Sequence, residues 1–199
     1  MKATQQDILS LSKWYKKNLR PLPWRKDKDP YKIWISEIML QQTTTTAVAP
    51  FFNRFIKKFP NVKTLAHAEI EDIYECWSGL GYYSRARNIH KAAKLIIKLK
   101  KFPQNYQELI QLPGIGPYTS RAIASIAFDE PVGVIDGNVI RVLTRKYNLP
   151  IEWWKTKERD LLQTIVDTYM HSQSPGMMNQ AIMELGSTIC TPKNPKCIL

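Results

Sequence analysis

The sequence predicts an all-α protein, on three observations. Apolar residues recur at helical spacing, Pro and Gly punctuate the chain between those runs, and strand-like alternation is sparse. Helices are expected over 5–18, from Tyr31 to about Gln42, and over 47–58, 69–77, 84–99, 104–111, 117–128, 138–146, 156–171 and 175–188. Between the first two, "RPLPWRKDKDP" reads as a Pro-interrupted loop. "TTTT" at 43–46 is a weak helix former that marks a helix end or a buried irregularity. No internal repeat and no disordered tail is evident.

A chain of 199 residues with 44% hydrophobic content can bury a real core as one large domain or two small ones. Its 29 Lys+Arg against 17 Asp+Glu give a net charge of +12. That balance favours a polyanionic partner, nucleic acid before all others, over an acidic small molecule. No stretch approaches the roughly 18 apolar residues of a membrane span, and "MKATQQDILSLSKWYKKNLR" lacks the apolar run of a signal peptide. The expected location is the cytosol, or a nucleoid within it. Cys76, Cys190 and Cys197 are too few and too unevenly placed for a disulfide framework, and Cys76 reads as core. His67, His90 and His171 show no ligand-like spacing and read as packing or surface residues.

From Ser84 to Lys101 the chain carries seven Lys/Arg and no acid, and Arg87, Lys91, Lys94 and Lys98 step by four, three and four residues along one helix face. That face is either solvated, opposite Ile89, Ala93, Ile96 and Ile97, or in contact with phosphate. A sharper signal is "LPGIGPYTSRAIAS". A helix ends at Leu112, Pro113 and two glycines make a tight turn, and a new helix begins near Pro117, which is a helix-hairpin-helix. Gly114 and Gly116 allow positive φ and leave no Cβ in the way, so backbone amides around Ile115 and Thr119 and the helix N-terminus can converge on a phosphate whatever the base sequence. The alternative is a plain turn between helices.

Two carboxylates stand out. Asp136 in "VIDGNVIRVL" precedes a helix, where it is an N-cap and also, held ionised by the macrodipole and free amides, a group that can stabilise a cation. Glu37 in "PYKIWISEIMLQQT" shares a helix face with Trp34, Ile38 and Gln41. Desolvation there would raise its pKa and make it a proton donor near neutrality; a buried, salt-bridged Glu is the structural alternative. One protonated acid plus one fixed carboxylate is the equipment for cleaving a glycosidic bond through an oxocarbenium-like state, and in DNA that bond joins base to sugar.

"LPWRKDKDPYKIWISEIMLQQT", "WSGLGYYSRARNIHKAA", "LPGIGPYTSRAIAS", "IDGNVIRVLTR" and "NQAIMELGSTICTPKNPKC" together resemble the MutY family of adenine DNA glycosylases, within the helix-hairpin-helix superfamily, from about residue 5 to the end. The resemblance implies a two-lobed all-helical fold: residues 21–131 as a six-helix barrel lobe, and 1–20 with 132–199 as a second helical lobe. It implies a monomer acting on double-stranded DNA with adenine opposite 8-oxoguanine or guanine, the base flipped out of the stack. Glu37 and Asp136 are then the catalytic acid and the cation-stabilising carboxylate, with Tyr118 and Asn138 orienting the acid and its water. Trp24, Arg25, Leu40 and Gln180 match the adenine pocket, and Gln42 and Tyr82 match residues inserted into the duplex. Arg25 as a surface cation and Tyr82 as a core aromatic remain alternatives. Endonuclease III-type relatives carry lysine where Tyr118 stands, so a monofunctional glycosylase is expected.

The family's loop for a [4Fe–4S] cluster spaces four thiolates Cys-x6-Cys-x2-Cys-x5-Cys, and Cys190 and Cys197 match its first interval. Two thiolates alone cannot hold such a cluster, so no stable one is expected in the chain as written unless a missing segment or external ligands complete it. The family also extends into a further domain that helps recognise 8-oxoguanine, so if the chain is complete, discrimination between the two mispairs is expected to be weakened. The competing readings are a mismatch thymine or uracil glycosylase or endonuclease III-like enzyme of the same superfamily, against which Glu37 argues, and a truncated, non-catalytic DNA-binding fragment.

Overall fold

The computed structural model describes residues 1–171 and 174–197. Among them are eleven α-helices and one short 3-10 turn: α1 (Gln5–Asn18), the turn Pro23–Arg25, α2 (Pro30–Leu40), α3 (Thr45–Lys58), α4 (Val62–Ala66), α5 (Ile70–Trp77), α6 (Tyr83–Leu99), α7 (Tyr106–Leu109), α8 (Pro117–Phe128), α9 (Gly137–Lys146), α10 (Thr156–Tyr169) and α11 (Pro175–Thr188). Helical spacing located all of the α-helices but α4, and the 3-10 turn lies in the segment read as a loop. That five-residue helix is too short to show a period and depends on its cap, the Asn61 side chain accepting from the Thr64 amide at 2.9 Å. The threonine run resolves into a helix start: Thr44 is the N-cap of α3, and its hydroxyl accepts from the Ala47 amide.

The chain divides into two compact units, Pro21–Phe128 with α2 to α8, and Met1–Arg20 joined by Asp129–Leu199 with α1 and α9 to α11. In the first unit an aromatic core forms around α2. Trp34 is fully buried, with Tyr31 and Phe102 packed edge-on to it at 6.1 and 6.0 Å. Phe55 of α3 meets Trp77 of α5 at 6.0 Å, and each such ring removed from water contributes about 2 kcal/mol. α2 packs on α8, whose buried face is built from small residues, Ser120, Ala122, Ala124 and Ser125, so the two helices can approach closely. Along α6, Arg87, Lys91, Lys94 and Lys98 are all exposed while Ile89, Ala93 and Ile96 are buried. Ile97 does not join that apolar side: it is 36% exposed, because its position has rotated past the edge of the buried stripe.

In the second unit α1 begins with a capping box, the Thr4 hydroxyl accepting from the Asp7 amide and the Asp7 carboxylate accepting from the Thr4 amide. α1 lies on α11. The Tyr15 hydroxyl donates to Gln180 Oε1 at 2.8 Å, and just beyond α1 the Arg20 guanidinium pairs with the buried Glu184 carboxylate and reaches Ser187 Oγ. Lys146 at the end of α9 pairs with Asp7 at 2.5 Å, and this hydrogen bond, opposed by partial burial, holds the Asp7 carboxyl below its ordinary pKa.

Because folding depresses the Asp7 pKa, the pair's contribution is complete above the unfolded value of 3.8 and is lost as pH falls through the lower folded value. Both side chains are partly solvated, so Lys146→Met should cost no more than about 1 kcal/mol at pH 7. Urea melts of the two proteins should draw together as pH falls below 3.8 and converge once it has passed the lowered folded value.

Candidate functional site

Glu37 sits in the last two turns of α2, only 7% exposed, between the buried Trp34 and Ile38 of its own helix. Leu40 closes the helix and is half-buried. Gln41 caps it and meets the hairpin. Its side-chain amide donates to the Gly114 carbonyl at 3.4 Å and to Thr119 Oγ1 at 3.3 Å. The α2 end and the hairpin are thereby one assembly, which also carries Tyr118, half-buried in the first turn of α8.

The hairpin uses its two glycines differently. Gly114 has φ +79°, and a Cβ there would lie 2.7 Å from Asn88 Cβ on α6, so both its conformation and its close packing demand glycine. Gly116, expected to share that conformational role, does not take a positive φ, and a Cβ on it would face open space. The turn needs only one left-handed residue because the Ile115 amide already closes it on the Leu112 carbonyl at 3.1 Å. The first-turn amides of α8, which follow Gly116 directly, have no intrahelical acceptor.

Gln42 and Tyr82 are both exposed and both left-handed, with φ of 58° and 50°. Neither is glycine, and the conformation costs each about 1 kcal/mol or more. With 60% of its surface exposed, Tyr82 is not the core aromatic that was its alternative; Tyr83 instead packs on Tyr74 at 5.5 Å. Between the two strained residues lies Arg85, which sequence reasoning counted only as one of seven basic residues. It is 7% exposed. Nη1 donates to the carbonyls of Ile38, Met39 and Gln41 at 3.2, 2.9 and 2.5 Å and reaches Thr43 Oγ1, while Nη2 donates to the carbonyls of Leu80 and Gly81 at 3.1 and 3.2 Å. Burial lowers its pKa below the ordinary guanidinium value. Six oxygen dipoles offset that desolvation, three of them carbonyls at the C-terminal end of α2.

In the other unit Asp136 is the N-cap of α9, Oδ1 accepting from the Val139 amide at 2.7 Å and Oδ2 from Asn138 Nδ2 at 2.8 Å. Arg141 fixes the Asn138 amide by donating to its Oδ1 at 2.7 Å. The extended segment that delivers Asp136 is bonded by side chains rather than by a neighbouring strand. Asp167 accepts from the Gly133 amide at 2.7 Å, and Asn179, fully buried on α11, accepts from the Val134 amide and donates to the Val132 carbonyl. Asn179 and Arg141 were not singled out from sequence. An Asn one residue before Gln180 offers no spacing signal, and Arg141 reads as a helix-surface cation.

Trp24 is buried, edge-on to Phe52 at 5.4 Å, and Arg25 beside it is half-buried. Gln180 is half-buried on α11 with its amide oxygen engaged by Tyr15. Cys190 follows α11, its sulfur 3.5 Å from Arg145 Nη1, and Cys197 is exposed. Among the described residues no group of three or more His, Cys, Asp or Glu could hold a metal ion. Two thiols do not fit a cluster that takes four.

A sequence model described as HhH-GPD superfamily base excision DNA repair protein matches residues 35–167. The chain is 46% identical over 189 residues to the adenine DNA glycosylase of Buchnera aphidicola from Schizaphis graminum, covering 94% of this chain and 54% of that protein. It is 39% identical over 201 residues to the adenine DNA glycosylase of Homo sapiens, covering 94% of this chain and 36% of that one. It therefore spans about half the length of the bacterial relative. Among solved structures, a thermostable thymine-DNA glycosylase superposes with a TM-score of 0.85 at 25% identity, covering 96% of this chain and 89% of that one. An endonuclease III–DNA complex has the same fold, with a TM-score of 0.75 at 20% identity over 100% of this chain and 92% of that one.

The close approach of α11 to α9 is measurable. A Cβ on Gly186 would lie 2.6 Å from Asn138 Cβ and 3.0 Å from its Cα, so Gly186→Ala should displace the Asn138 backbone and cost about 1–3 kcal/mol in thermal or urea denaturation.

Proposed function

Because the chain belongs to the HhH-GPD superfamily of base excision DNA repair proteins, we propose that it is an adenine DNA glycosylase, hydrolysing the N-glycosidic bond of adenine mispaired with 8-oxoguanine or guanine. The observation that carries this reading is the buried Glu37 carboxyl at the end of α2, in a chain 46% identical over most of its length to an adenine DNA glycosylase. Expelling a purine requires neutralising the charge that builds on its imidazole ring. A carboxylic acid at N7 does this, whereas a pyrimidine leaves as a stabilised anion and needs no such acid.

On this reading the hairpin, through Gly114, Ile115, Gly116 and Thr119, grips a phosphate. Gln42 and Tyr82 occupy the space the base leaves, and Trp24, Arg25, Leu40 and Gln180 receive the adenine. Glu37 gives its proton to N7 as the bond from N9 to C1′ lengthens, and the electron pair of that bond departs with the adenine. Asp136, held by the Val139 amide and the Asn138 side chain, stabilises the cation left on the sugar, and water completes the hydrolysis with Tyr118 and Asn138 orienting it. Tyr118 offers a phenol where a lyase needs an amine, so the strand stays intact at the abasic site. No step passes through a cluster, and the two cysteines have no part in the chemistry. The protein acts as a monomer on double-stranded DNA in the cytosol.

Glu37→Gln should lower single-turnover adenine release from an A:8-oxoguanine duplex by about 10³-fold with duplex affinity kept. Wild-type cleavage should appear only after alkali. Release of thymine from a G:T duplex with adenine untouched would point to the mismatch pyrimidine glycosylases instead. Borohydride trapping of a protein–DNA adduct would show that a lyase step exists and that Tyr118 does not mark its absence.

A further inference from the structure

Gln42 and Tyr82 come from different loops, one after α2 and one before α6, and nothing in the order of the chain ties them together. One side chain does. Arg85 binds the carbonyl of the residue immediately before each: Gln41 through Nη1 and Gly81 through Nη2. Its guanidinium also lies over the Tyr82 ring, with Cζ 5.2 Å from the ring centroid. A peptide carbonyl anchored at residue i−1 fixes the plane from which residue i departs, and both departing residues are left-handed.

We propose that Arg85 is a positioning residue that sets Gln42 and Tyr82 as one coupled wedge, so that the two enter a duplex together; this rests on the glycosylase reading above. The chemistry suits only arginine. The planar fork presents two nitrogens at fixed separation and can serve two backbone loops at once, whereas a lysine ammonium is a single point that satisfies one or the other. The same fork ties the wedge to the carbonyls of Ile38 and Met39, the residues that follow Glu37 in α2. Strain at the wedge is thereby shared with the helix that holds the acid.

The test is a cycle on base extrusion rather than on stability. A duplex with 2-aminopurine in place of adenine opposite guanine reports extrusion as a rise in fluorescence when saturating protein is added. Circular dichroism first confirms that each variant is folded. Arg85→Lys should reduce the rise by about 5-fold in the native background and by less than about 2-fold in a Gln42→Ala/Tyr82→Ala background, since a residue acting through the wedge has nothing left to position. Arg85→Gln, which keeps two amide hydrogens without the charge, replaces the lysine variant where that does not fold. An equal loss in both backgrounds would make Arg85 a helix cap and nothing more, and an unchanged rise in the native background would also overturn the proposal. If the unmutated chain neither raises the fluorescence nor releases adenine, the glycosylase reading itself fails and takes the proposal with it.

Discussion

A protein assembled from short helices has to satisfy the backbone groups left over at every helix end, and that requirement organises this molecule. Each α-helix leaves four amides and four carbonyls without an intrahelical partner. With eleven helices among the described residues, their ends make up a large share of the polar surface that folding must account for. Most are handled locally, as by Thr4, Thr44, Asn61 and Asn105 at their N-caps. The candidate functional groups stand at three other ends. Asp136 caps α9, the end of α2 is closed by Arg85 from α6, and the open amides at the start of α8 stand beside the hairpin glycines.

Two of these ends complement each other in sign. The carbonyl end of α2 attracts a cation and receives a guanidinium, while the amide end of α9 attracts an anion and receives a carboxylate. The carboxylate is short and held on both oxygens, so its direction is set by α9 itself. The guanidinium is long and comes from another element, so the α2 end is set by how α6 packs. Arg85 is buried without a described carboxylate partner, a costly choice for a cation unless most of its donor set is used. Six oxygens within bonding distance of its two terminal nitrogens meet that condition, leaving only Nε unpartnered.

Ten of the eleven described helices, the hairpin turn and the capping position of Asp136 were legible in the sequence because each rests on local rules: apolar period, Pro and Gly placement, and a polar residue before a helix. What was not legible depends on distant partners. Arg85 sat in a run of basic residues whose other members are exposed, and only the carbonyls of Leu80, Gly81 and the α2 terminus separate it from them. Gln41 and Gln42 are adjacent and chemically identical, yet one turns inward to the hairpin and the other is exposed in a left-handed conformation. Asn179 replaces a missing β-partner for the segment before Asp136, and no pattern in the segment itself announces that it will be extended and buried. The roles given to the pocket residues remain those of the resemblance, because burial places Trp24 and Gln180 without saying what they receive.

The choice of base is the point at which fold ceases to be informative. A thymine-DNA glycosylase superposes on this chain and adenine DNA glycosylases align with it, so the helical architecture by itself does not choose the base. What differs between purine and pyrimidine is the leaving group. A pyrimidine anion spreads its charge over two carbonyl oxygens, and donors to those oxygens suffice. Adenine has no carbonyl, and its N7 must take a proton before N9 can leave at neutral pH. Of the acids on the first unit, Glu37 alone among the described residues is buried; the others line the surface, where water competes for any proton they carry. Burial that would be a liability in a purely structural carboxyl is what a proton donor to a purine requires.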